Sequence, residues 1–303
     1  MWLQLWGGSA IAPALMTLLA QTRPDPLARN PVLELTSDMS TGIRTRMAVQ
    51  DVLGGLRLFR LGCVLGWLDI RLRYRGSVLG PFWLTLSTAV MVGALGLLYS
   101  TLFKIELRSY LPFLALSIVL WNFFSAIVTE GCTCFTESEA MIRSMRMPYL
   151  LYAIRVAVRN VLVLAHNIIV IVGVFAIFWM WPGKIAVLVL PALALWAVDA
   201  IAVIVLLGAF CSRFRDIPPI VGSIMQLAFF MSPIIWKPEL LYGKQWTLPF
   251  NPFYSLLEIV RGPLLGEMPS AYTVTSAILY SVVLCGVSWL LFVRVRGRLA
   301  FWV

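Results

Sequence analysis

Side chains able to do chemistry are few in these 303 residues, and they are scattered. The single histidine, His166, has no acidic or nucleophilic neighbour and makes no catalytic set. The five cysteines (Cys63, Cys132, Cys134, Cys211 and Cys285) form an odd set at irregular spacing, which is no disulfide framework. Cys132 and Cys134 read Cys-Thr-Cys with no second ligand pair after them, so no metal site is expected. A phosphate-binding loop needs Gly-Lys followed by Ser or Thr. Gly183-Lys184 is followed by Ile and Gly243-Lys244 by Gln. The chain is therefore read as no enzyme, with no catalytic residue and no cofactor of its own. Three polar residues, His166, Asn167 and Asp199, sit inside apolar runs, where an ionisable or amide group is costly. Hydrogen bonds that knit helices together are the expected role for all three, and depth argues against a direct His166–Asp199 pair.

One short stretch has the make-up of a docking site. Residues 137–160 read ESEAMIRSMRMPYLLYAIRVAVRN, between two long uncharged runs. Glu137 and Glu139 come early and Arg143 and Arg146 late, which suits a helix dipole, and Ser138 is placed to cap the start. Pro148 ends the helix. Met141, Ile142 and Met145 make an apolar knob flanked by arginine, a surface fit for a groove on another protein. Nothing in the chain binds a nucleotide and intramembrane acids are nearly absent, so a separate ATPase acting on this loop is the economical energy source.

The elements that must position these residues follow from composition. Hydrophobic residues make up 60% and charged residues 13%, and mean hydropathy is +0.89. A soluble domain carries about 25% charged residues. The solvent is therefore lipid. The net charge of +10 lies in loops beside apolar runs, which fits membrane orientation and anionic headgroups better than nucleic acid. Runs of about 20 apolar residues mark crossings. Cutting the chain at its charges predicts six, over about 78–103, 109–129, 160–182, 185–211, 217–236 and 270–293. Lys and Arg number nine before the first span, then four, two and three in alternate segments, against six on the other side. Both termini are accordingly predicted to be cytoplasmic.

Three segments do not cross. Residues 1–40 are expected to be an irregular or mis-started N-terminal extension, with Met39 and Met47 as alternative starts. Residues 57–75 carry Leu61, Leu65, Leu68 and Leu72 on one helical face, with Arg57, Arg60, Arg71, Arg73 and Arg75 elsewhere. That pattern predicts an amphipathic helix in the headgroup layer, with Trp67 and Tyr74 at interface depth. Residues 250–266, broken by Pro252 and Pro263, predict short re-entrant helices on the outer face, tolerable only against protein or a wet cavity.

Four stretches in chain order resemble one family, the membrane subunits of type-2 ABC exporters that move polysaccharides. They are RYRGSVLGPFW (73–83), MPYLLYAIRVAVRNVLVLAHN (147–167), SRFRDIPPIVGSIMQLAFFMSPIIW (212–236) and NPFYSLLEIVRGPLLG (251–266). The wording is most similar to lipopolysaccharide O-antigen exporters; capsule and teichoic-acid exporters are neighbours. The resemblance implies a homodimer of this permease subunit with two ATPase subunits, which bind the ATP and Mg. The complex would sit in the bacterial inner membrane and carry a lipid-linked polysaccharide outward. It implies that 137–148, with Met141, Ile142, Arg143, Met145 and Arg146, is the coupling helix, and that 57–75 is an interface helix contacting lipid. It also implies that aromatic rings line a channel along which sugar faces slide: Phe82, Trp83, Trp121, Phe229, Phe230 and Trp236. A membrane glycan-processing enzyme is the lesser alternative, and it would need a cluster of acids, His or Ser that the sequence does not supply.

Overall fold

A computed structural model describes residues 41–303 except 78, 79 and 81; the expected N-terminal extension, 1–40, lies outside the described residues. The described part is helical throughout. The helices are α1 (Thr41–Arg57), α2 (Phe59–Arg73), α3 (Phe82–Phe103), α4 (Leu107–Thr133), α5 (Glu139–Ser144), α6 (Tyr149–Ile177), α7 (Val189–Arg213), α8 (Ile217–Met231), α9 (Pro252–Leu265) and α10 (Ala271–Trp302). Short 3-10 turns cover Lys184–Leu188, Pro238–Leu240 and Gln245–Phe250. Five helices are long and apolar enough to cross a bilayer: α3, α4, α6, α7 with its lead-in turn, and α10.

The helices run on past the predicted crossings where charge was taken as the edge of the bilayer. The third crossing was placed from residue 160, after the arginines, but α6 starts at Tyr149 and runs through Arg155 and Arg159. Both arginines are paired with acids, so they do not end the helix. The final helix likewise continues to Trp302 through Arg294, Arg296 and Arg298. The 217–236 crossing is shorter as a helix. α8 stops at Met231 because Pro233 drives the residue before it out of the helical region, and Ser232 is extended, with ψ of 146°. Residues 252–265 form α9, which follows the 3-10 turn Gln245–Phe250. Asn251 caps it, accepting from Phe253 N–H at 3.0 Å and Tyr254 N–H at 3.3 Å, and Gly266 ends it in the left-handed region at φ 86°.

α4 is the hub. Its apolar window is 72% buried, against 22% for α3 and α10. Phe113, Ile118, Trp121, Phe123, Phe124 and Ile127 on α4 hold the core together. α3 and α10 turn rows of large apolar residues outward, among them Leu97, Leu98 and Leu102, and Leu279, Val282 and Leu290. Polar bonds stitch α10 to α7: Ser281 donates to the Asp199 carboxylate at 2.6 Å, and Ser288 donates to the Ala202 carbonyl at 2.8 Å.

α1 was not foreseen in the sequence, and the packed face of α2 is not the leucine face. Leu61 is buried, but Leu72 is 61% exposed; the buried row is Leu61, Gly62, Gly66 and Ile70. Glycines win the interface because they let the α2 backbone close on α6. A Cβ on Gly66 would sit 2.8 Å from the Arg155 carbonyl oxygen and 3.1 Å from Val158. Backbone cannot step aside, so Gly66→Ala is expected to cost about 1–3 kcal/mol, as overpacking does. Thermal unfolding of the purified protein checks this, with Gly93→Ala, a helical position with nothing within 4 Å, as a control for a mere glycine effect. A loss no larger at Gly66 than at Gly93 would contradict it.

Candidate functional site

The charged end of the bundle is a connected polar platform. Asp69 on α2 accepts from Arg155 Nε at 2.7 Å and from its Nη2 at 2.6 Å, a bidentate pair. Arg159, 6% exposed, lies 3.5 Å from Asp69, donates through Nε to Glu130 on α4 at 3.0 Å and pairs with it through Nη2 at 2.8 Å. Asn160 donates to the same Glu130 at 2.7 Å, and Arg73 reaches it at 3.3 Å. Glu137 accepts from Thr133 at 2.8 Å and approaches Arg159 at 4.0 Å. These contacts clamp α2, α4 and α6 together just where chain leaves the apolar slab. Of the predicted interface-helix arginines, Arg73 joins this network. Arg57, Arg60, Arg71 and Arg75 are exposed, as is Trp67.

A second anchor joins α1, α6 and α10. Asp51 is 3% exposed; it accepts from the Leu150 N–H at 3.3 Å and from Arg296 Nε at 3.0 Å. It thus serves an orphan donor in the first turn of α6 from another helix, with the dipole in its favour. Burial still pushes its carboxyl above the usual carboxylate range, with Arg296 and the backbone N–H groups pulling the other way.

The predicted coupling segment stands on this platform. α5 is one short helix, Glu139–Ser144. Ser138 occupies the N-cap position, but its hydroxyl donates backward to the Cys134 carbonyl at 2.8 Å instead of capping. The knob divides: Met141 and Ile142 are half-buried against the chain's own core, whereas Met145 is 44% exposed and Arg146 is exposed beside it. Arg143 pairs with Glu139 at 2.8 Å and donates to the Val303 carbonyl at 2.8 Å, which ties the segment to the end of α10. The base is fixed and the tip is offered outward.

The predicted aromatic set also divides. Phe82, Trp83 and Phe230 are 59%, 56% and 67% exposed. Trp236 is half-buried, its indole donating to the Phe230 carbonyl at 3.2 Å. Trp121 is buried and packs between Phe229 and Phe253, with ring centroids at 5.9 and 5.3 Å. Among the intramembrane polar residues, His166 bonds its own helix through the Leu162 carbonyl at 2.7 Å and meets Phe82 edge-on. Asn167 and Asp199 are buried, and each has one side-chain oxygen without a hydrogen-bond partner. Among the described residues, no group of three or more His, Cys, Asp or Glu could hold a metal.

Sequence reasoning missed the acids. Asp51, Asp69 and Glu130 drew no notice because each is a lone acid in its own stretch. A signal existed: an acid on an otherwise basic helix, as Asp69 is, needs a partner.

The family model for the ABC-2 type transporter matches residues 61–265, which span the platform, the α5 loop and α9. Curated relatives include an O-antigen export system permease protein RfbA of Myxococcus xanthus, 25% identical over 62% of this chain and 74% of that protein. Two proteins of the same description from Klebsiella pneumoniae are 22% and 21% identical, each over 66% of this chain and 78% of the relative. With five membrane-long helices and a family match over most of its length, the chain is a multi-pass membrane protein of the ABC-2 type transporter family.

Proposed function

We propose that the chain is the permease subunit of an ATP-driven exporter of a lipid-linked, O-antigen-like polysaccharide in a bacterial inner membrane. The relatives named as O-antigen export permeases support the substrate class. Two copies of the chain form the conduit and two ABC ATPase subunits, which hold ATP and Mg, drive it. α8 and the short segments up to α9 complete a sixth crossing, so both termini are cytoplasmic and the platform faces the cytoplasm. α1 and α2 lie in the inner headgroup layer, where the exposed arginines meet anionic lipid. α9 is the outer re-entrant element. The exposed rings of Phe82, Trp83 and Phe230, with Phe229 and Trp236, line the sugar path; Trp121 backs Phe229 from behind.

The observation that carries this reading is the divided knob. Met145 and Arg146 project from a base bolted to α10 by Arg143 and to the core by Met141 and Ile142. A push on the tip reaches the bundle through these contacts. Met145→Asp places a charge in an apolar groove on the ATPase. It should weaken assembly by roughly 2 kcal/mol, or about thirtyfold, as loss of a docking anchor does. Co-purification of the ATPase on the tagged permease checks this, with the thermal midpoint of the permease as the folding control. Met145 is the better probe than Met141 or Ile142, because charges there would also disturb the core. Undiminished ATPase capture by Met145→Asp would overturn the assignment.

A further inference from the structure

We infer that a polar cleft between α3, α4 and α6 is a sugar-binding subsite in the cytoplasmic half of the membrane. This rests on the function proposed above and names where the glycan first meets the permease. The cleft has a volume of about 490 Å³, within the range of small-ligand sites. Asn160 and Glu130 of the platform line its mouth together with Arg73, and Asn167 lines its inner end. Those two asparagines are seven residues apart on α6, about 10 Å of helix. Ser87, Asn122 and Ser125 also line the cleft and present hydroxyls and an amide.

Such a surface is costly in a membrane unless something polar occupies it. Asn167 makes that explicit: it is 4% exposed, it lines the cleft, and its Oδ1 accepts no hydrogen bond. Amides and hydroxyls offer donors and acceptors side by side, the complement of a sugar ring carrying several hydroxyls. Charge decides against an anionic phosphate. Arg73 and Arg159 share the one acid at the mouth, Glu130, which leaves positive charge at the mouth only; beyond it Ser87, Thr88, Asn122, Ser125 and Asn167 carry no charge to hold a phosphate. Sugar hydroxyls can instead replace water along the amide rungs as the glycan moves inward.

The test uses the permease with its ATPase in nanodiscs. The probes are a polyprenyl lipid bearing a photoreactive trisaccharide, the same lipid with the photoreactive group but no sugar, and phosphatidylglycerol with that group on its glycerol. The sugar probe should label residues 84–91 and 160–167, and the other two should not. Ser87→Trp fills the cleft from an exposed position and spares the core; Asn167→Leu removes the orphan acceptor. Asn167→Leu should cut labelling about tenfold, the size of one hydrogen bond left unpaired, and Ser87→Trp at least as much by blocking the cleft. Equal labelling by the sugarless lipid, or by the glycerol headgroup, would overturn the proposal, since the cleft would then be a general lipid site. So would unchanged labelling in Ser87→Trp. ATP-driven glycan export is read in parallel. Export by the wild type with no sugar label in the cleft sinks the subsite alone, whereas no export with a competent ATPase sinks the functional reading.

Discussion

Arg261→Ala should leave little folded permease. Arg261 is 1% exposed, yet it carries a full charge into the wall between α9 and α4. Its Nη1 donates to the Pro233 carbonyl at 2.6 Å and to Ser117 at 2.8 Å, its Nε and Nη2 pair with Glu258, and its guanidinium lies 4.3 Å from the Phe113 ring centroid. One side chain therefore joins α9, α4 and the extended turn after α8. Removing it strands Glu258 without its cation, and the Pro233 carbonyl without its donor. Breaking a buried pair from one side costs about 3–5 kcal/mol. Arg261→Lys keeps the charge but loses the planar fork, so it should recover only part of the loss. Folded yield and the thermal midpoint in detergent read both variants. If Arg261→Ala melts within a degree or two of the wild type, the buried network is not what holds α9 in place.

Asp69→Arg should be nearly as damaging, and it should be rescued by a second change. The substitution sets a third cation against Arg155 and Arg159 at the junction of α2 and α6. The loss should again fall near 3–5 kcal/mol, and ATPase-dependent transport should fall with it. Adding Arg155→Asp restores opposite charges across the same gap. A coupling energy on the order of 2 kcal/mol is expected from the double-mutant cycle, well above the scatter for independent sites. Additive losses would mean that the two residues do not act as a pair and that α2 is held by its glycines alone.

These two sites mark the limit of what composition and periodicity reveal. The crossings were legible because lipid demands long uncharged helices, and α3, α4 and α7 lie close to their predicted bounds. The ends were not legible. Arg155, Arg159 and Arg261 were each read as loop charges, whereas each sits in a helix and is paired: Arg155 and Arg159 with Asp69 and Glu130, far away in sequence, and Arg261 with Glu258 and with Ser117 and Pro233 from other elements. Whether a charge is paired is a tertiary fact, and no local window holds it. α2 shows the same limit: leucines marked its face, but glycines made the contact, because close backbone approach outweighs a broader apolar stripe. The segment proposed to dock reads in the sequence as a Met-rich island between apolar runs. That Met145 and Arg146 point out while Met141 and Ile142 turn in depends on the anchor from Arg143 to Val303, which spans the chain. α1 went unread because its apolar residues, including Val49, Leu53 and Leu56, are few and diluted by arginine.

Co-reconstitution with the ATPase bears on all of this at once. Permease and ATPase are placed in proteoliposomes with a lipid-linked glycan on the ATPase face, and glycan reaching the lumen is measured with and without ATP. Transport should require the permease, the ATPase and ATP together, and should fail with Met145→Asp. Glycan movement at the full rate by the permease alone, or without ATP, would contradict the reading of this chain as a conduit driven from its α5 loop.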